Sequence, residues 1–126
     1  MTVSAVDAAG NQLAGYSATL SLSALQADNT AQAGGGILGV TNVNLPANGT
    51  LTIANQTYTK LERIRLRAVD TGADITGYSS SMTVVAGLPA SVALTANPQS
   101  TVLGVPAVLS AVVQDLYANQ VQGATV

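Results

Sequence analysis

The chain has 126 residues, 48% of them hydrophobic, yet only four are Tyr and none is Phe or Trp, so a core must be built from Val, Leu, Ile and Ala. That length favours one domain and permits a packed core, and one so thin suits two sheets packed face to face. Charged residues are 8% of the chain and the net charge is −2, which removes any general attraction to nucleic acid or an anionic membrane. The absence of Cys and His excludes disulfides, thiolate metal sites and the commonest catalytic base.

Strands are predicted near 1–7, 16–24, 37–43, 50–55, 61–69, 79–86, 91–96, 106–114 and 121–126, because the apolar pattern has period two nearly everywhere. Ala18, Leu20, Leu22 and Ala24 alternate with Ser17, Thr19, Ser21 and Ser23, and Leu51 and Ile53 with Thr50 and Thr52. Ile64, Leu66 and Ala68 alternate with Arg63, Arg65 and Arg67, so the aliphatic set is expected in the core and the arginines in solvent. Val92, Leu94 and Ala96 alternate with Ser91, Ala93 and Thr95. Turn signals separate these segments: Ala8-Ala9-Gly10-Asn11, Gly34-Gly35-Gly36, Pro46-Ala47-Asn48-Gly49, Thr71-Gly72-Ala73-Asp74 and Asn97-Pro98.

The chain resembles itself. Asp7-Ala8-Ala9-Gly10-Asn11-Gln12-Leu13-Ala14-Gly15 aligns without a gap on Asp115-Leu116-Tyr117-Ala118-Asn119-Gln120-Val121-Gln122-Gly123, 108 positions on. Met1, Val3 and Ala5 align likewise on Leu109, Ala111 and Val113. Such a period is that of an immunoglobulin-sized domain rather than of a short solenoid repeat. In the shared pattern the Asp side chain starts a turn on nearby backbone amides, Gly10 can take a positive φ, and Gly15 lets the next strand begin close to its neighbour. Ala118 replaces Gly10 in the second copy, so that turn is expected to be either altered or strained.

Ala5-Val6-Asp7-Ala8-Ala9-Gly10-Asn11, Leu66-Arg67-Ala68-Val69-Asp70 with Ile75-Thr76-Gly77-Tyr78-Ser79-Ser80, and Val92-Ala93-Leu94-Thr95-Ala96-Asn97-Pro98 with Gly104-Val105-Pro106 are scaffold motifs covering nearly the whole chain. Together they resemble the bacterial Ig-like repeats of invasin/intimin-type adhesins and related tandem surface proteins. The resemblance implies an all-β, immunoglobulin-like β-sandwich in a tandem extracellular or cell-surface setting, and implies a fold more than a ligand. In that register residues 1–87 are one Ig-like repeat lacking its first strand, and 88–126 are the first strands of the following repeat, joined near Gly87-Leu88-Pro89. The tandem repeat therefore has incomplete ends, and its expected partners are neighbouring Ig-like repeats or copies of itself. Residues 1–25 lack a signal-peptide pattern and no run approaches a membrane span, so an export signal or anchor is expected outside this chain.

Candidate chemistry is sparse. Among the six carboxylates, Asp7, Asp28, Glu62, Asp70, Asp74 and Asp115, no pair suits acid–base work, and Asp7 and Asp115 are turn residues by the repeat. Asp70 and Asp74 can bring two carboxylates to Ca²⁺, an ion that takes six to eight oxygens, but the plain reading is an Asp-Gly turn. The glycine run at 34–36 lacks the Lys-Ser/Thr of a phosphate-binding loop. Ser-His-Asp catalysis is impossible without His, and Lys60, the single lysine, has no Ser-x-x-Lys neighbour. Lys60 reads as exposed rather than as a partner in an isopeptide bond. The sequons at Asn48 and Asn55 matter only in a host with glycosylation machinery.

All four basic residues fall in eight positions, and Arg63, Arg65 and Arg67 share one strand face at about 6.6 Å spacing. This stripe suits a sulfated or carboxylated glycan, while its plain reading is a solvated sheet face. Tyr16, Tyr58, Tyr78 and Tyr117 are few for stacking on sugar rings. The expectation is a spacer or stalk module of a surface or secreted adhesin-like protein, not an enzyme and without a resident cofactor, completed by strand exchange with its neighbours. The alternative is a glycan- or polyanion-binding module of an adhesin or secreted enzyme.

Overall fold

The computed structural model describes residues 1–28 and 35–124, and these form strands and no helix. Gly34 of the glycine run and residues 125–126 of the last predicted strand lie outside the described residues. The chain divides into two compact units, Met1–Val84 and Val85–Val126.

In the first unit, β1 (Thr2–Ser4) pairs with β4 (Thr50–Thr52) in one small antiparallel sheet. The larger sheet has the order β3-β2-β5-β6, from β2 (Ala18–Gln26), β3 (Asn42–Leu45), β5 (Arg63–Asp70) and β6 (Thr76–Tyr78). A short β7 (Met82–Thr83) also pairs with β5. Period-two alternation builds the core. Leu22 and Ala24 of β2 and Ile64 and Leu66 of β5 cluster with Leu38 and Ile53, and Val3 and Leu51 pack on them from the smaller sheet. The unit is thus a β-sandwich-like arrangement, with an aliphatic interior as the composition requires.

β5 carries the sheet. It pairs with β2 over seven residue pairs, from Leu20↔Asp70 to Gln26↔Ile64, and with β6 and β7 on its other edge. Ile64 is 1% exposed and Leu66 is buried, while Ala68 packs half-buried beside them. Arg63 is exposed, but Arg65 and Arg67 are half-buried rather than fully solvated. Leu25 is buried on that same arginine face, directly opposite Arg65.

Three predicted strands differ from those formed. The segment expected at 37–43 begins its ladder only at Asn42, because side chains satisfy the preceding backbone. Gln56 donates to the Val40 carbonyl at 3.0 Å and accepts from its amide at 2.9 Å, and Thr59 Oγ1 accepts from the Ile37 amide. The segment expected at 79–86 forms a strand only at β7, while β6 forms ahead of it at 76–78, and the registers of the two on β5 differ by one residue. Ser79 fills that bulge: its amide donates to the Leu66 carbonyl and its hydroxyl accepts from the Leu66 amide, both at 2.9 Å. The last segment forms no strand in residues 121–124; an isolated bridge, Gln114↔Gln120, stands just before it.

The second unit is a ribbon of β8 (Ser91–Asn97) and β9 (Val108–Gln114), paired from Ser91↔Gln114 to Asn97↔Val108. Its register gathers Val92, Leu94, Ala96, Leu109, Ala111 and Val113 on one face. Every buried hydrophobic side chain among the described residues belongs to the first unit, whereas Leu94 and Leu109 are 73% and 76% exposed.

Ile64→Ala should destabilise the first unit by about 2–5 kcal/mol, the cost of emptying a fully enclosed aliphatic site. Urea denaturation followed by far-ultraviolet circular dichroism measures it, and a loss below about 0.5 kcal/mol would place Ile64 outside the cooperative core.

Candidate functional site

The arginine face is a built surface rather than a row of loose side chains. Arg63 donates from Nη2 to Ser81 Oγ at 2.8 Å, Arg65 from Nε to the Ser79 carbonyl at 2.7 Å, and Arg67 from Nε to Ser23 Oγ at 3.1 Å. Arg65 also lies over the Tyr78 ring, 5.7 Å from its centroid, within cation–π range. All these partners are neutral. The bonds at Arg65 and Arg67 engage Nε, the inner nitrogen of the guanidinium fork.

Asp70 and Asp74 lie in one tight turn, but only Asp70 is buried. Asp70 Oδ1 accepts from the amides of Gly72 at 2.8 Å and Ala73 at 3.3 Å, and Oδ2 accepts from the Tyr16 hydroxyl. Asp74 donates its amide to the Asp70 carbonyl at 3.1 Å and takes a left-handed φ of 53°. No group of three or more acidic, Cys or His side chains gathers among the described residues. The Tyr16 bond, with the amide bonds behind it, holds the Asp70 carboxyl below its usual range against the opposing effect of desolvation. The same bond raises the Tyr16 hydroxyl. The sequence marks Asp70 indirectly, since it shares the phase of Ile64, Leu66 and Ala68; nothing in it marks Tyr16 as the partner. Tyr58 donates to Glu62, and burial with that bond pushes its hydroxyl up to about 12.

The Asp7 and Asp115 turns have the same construction. Asp7 Oδ1 accepts from the amides of Ala9 and Asn11, each at 2.9 Å, and Oδ2 from Asn11 Nδ2 at 3.1 Å. Asp115 Oδ1 accepts from the amides of Tyr117 at 2.9 Å and Asn119 at 3.0 Å, and Oδ2 from Asn119 Nδ2 at 3.1 Å. The closing bonds also correspond, Leu13 N to Ala5 O at 3.0 Å and Val121 N to Val113 O at 2.9 Å. Ala118 adopts a φ of 63° where Gly10 has 86°, so the second turn keeps its shape and carries the strain. At Gly15 a Cβ would meet nothing within 4 Å, so its role is its φ of 89°, matched by 73° at Gly123, and not close approach.

A cleft of about 250 Å³ opens beside β1, lined by Val3, Ala5, Leu13, Leu20, Leu45 and Ile75, with Tyr16 and Asp70 as its polar end. Sequence periodicity does not mark this cleft, because its walls come from segments far apart in the chain.

No protein-family model matches the chain, and no curated protein or solved structure matches it either.

Desolvation raises the Asp115 carboxyl, but bonds from Asn119, the Gly87 amide and the Tyr117 amide outweigh it and hold the group down at about 2. Bonding to Asn11 depresses Asp7 in the same direction. A carboxyl lowered by folding stabilises fully above its unfolded value of about 3.9 and ceases to do so as pH falls through the folded one. Stability should therefore decline between pH about 4 and about 2, and decline less in Asp115→Asn, as read by urea midpoints across that window. Midpoints independent of pH there would mean that these turns do not couple to folding.

Proposed function

We propose that the chain is a structural spacer built of immunoglobulin-like repeats, from an extracellular or cell-surface protein. The duplicated Asp7 and Asp115 turns carry this reading. Two turns 108 positions apart with corresponding side-chain and backbone bonds are what successive repeats of one domain would place at the same corner. The ribbon β8–β9 then corresponds to the opening of a second sandwich, and its apolar face to the side such a sandwich would cover. A surface polar through Ser, Thr, Asn and Gln rather than charge suits a secreted module. The reading includes no catalysis and no resident cofactor.

Repeat character is tested by fusing residues 19–84 after Val126, so that the second unit receives the strands its register lacks. Amide exchange of residues 91–97 and 108–114 should slow by at least about tenfold in the fusion. Unchanged exchange would sink the repeat reading.

A second reading, a polyanion- or glycan-binding module, is favoured by the arginine face, whose three guanidiniums bond to neutral oxygens. In that case heparin should bind at low salt, release steeply as salt rises, and fail to bind the Arg63/Arg65/Arg67→Ser variant. Retention of heparin by that variant would remove the stripe as the cause.

A further inference from the structure

We propose that the open edge of β1 accepts residues 91–97 of a second copy of this chain, as an antiparallel strand in a register set by the internal repeat. The proposal rests on the repeat reading above and adds the partner and its alignment.

The edge comes first. β1 pairs with β4 alone among the described strands. The Met1 carbonyl accepts from Ile53 and the Ala5 amide donates to Gly49, so the odd positions face β4. Alternation then turns the amides and carbonyls of Thr2 and Ser4 to the opposite edge. Beside that edge lies the 250 Å³ cleft, to which Val3 and Ala5 contribute together with Leu13, Leu20 and Leu45.

The occupant is identified by the strand equivalent to β1. β9 precedes the Asp115 turn as β1 precedes the Asp7 turn, and β9 has β8 as its partner. Val92 stands opposite Val113, and Leu94 opposite Ala111. Carried back 108 positions, that register sets Val92 opposite Ala5 and Leu94 opposite Val3, with both side chains on the face that lines the cleft. In its own ribbon Leu94 is 73% exposed and Val92 47%. Transfer of β8 from its own β9 to a neighbour's β1 replaces the seven-pair ladder by an antiparallel one in the same register, Ser91 opposite Val6 to Ala96 opposite Met1, and covers apolar side chains that the ribbon leaves in water. Each copy offers one donor strand, in its second unit, and one different acceptor edge, in its first, so the contact is head-to-tail and propagates into chains.

The chain has no Cys, so introduced thiols report the register without background. Single-site full-length variants Val3→Cys and Leu94→Cys, mixed and oxidised, should form the mixed disulfide about tenfold more than Ser4→Cys mixed with Leu94→Cys, whose side chains would point to opposite faces. Ala5→Cys with Val92→Cys tests the same register should Val3→Cys fail to fold. Light scattering of the unmodified chain should rise with concentration, and Leu94→Lys should abolish the rise. Equal cross-linking of matched and mismatched pairs, or scattering that stays monomeric, overturns the proposal. Protection of the ribbon in the residue 19–84 fusion, found together with either of those results, would leave the repeat reading standing and remove only the second copy.

Discussion

The first unit depends on the alternation of a single strand. β5 is paired on both edges, so its side chains can go only to one face or the other, and the even positions take the core. Ile64 and Leu66 fill it, and the arginines are driven together on the opposite face by the same parity. Asp70 has the core phase too, and a carboxylate there is tolerated only because the Tyr16 hydroxyl and two backbone amides satisfy it. The buried turn and the cationic stripe are therefore two consequences of one register.

A core without Phe or Trp is filled by short aliphatic side chains. Small polar side chains then take over backbone duties that longer ladders perform elsewhere. Gln56 serves both backbone groups of Val40, and Ser79 serves the bulge between β6 and β7. These local bonds shorten strands without leaving buried donors orphaned.

The second unit has the opposite problem. Seven backbone pairs hold its ribbon, yet one face presents Val92, Leu94 and Leu109 to water. Two strands cannot enclose a core, and an isolated ribbon is marginal in water. The open edge of β1 and the open face of β8 are complementary liabilities, one short of a strand and the other short of a cover. On the repeat reading proposed above, both are met when each unit closes on a neighbour.

Much of this was legible in the sequence. Period-two patterning determined that the chain is all-β, which phase of 63–69 is apolar, and where the turns at Asp7, Asp70 and Asp115 fall. The likeness of the Asp7 and Asp115 turns was legible because it is a matter of residue identity at fixed spacing, and Ala118 marked the strained position of the second. Tertiary structure alone decided where the ladders begin and end, because Gln56, Thr59 and Ser79 compete for backbone groups from positions that periodicity does not weigh. It alone placed Tyr16 against Asp70, 54 positions apart, and half-buried Arg65 and Arg67 against Tyr78 and Ser23. Local pattern determines which way a side chain points from its own strand; what it meets there depends on which distant strand the fold sets alongside.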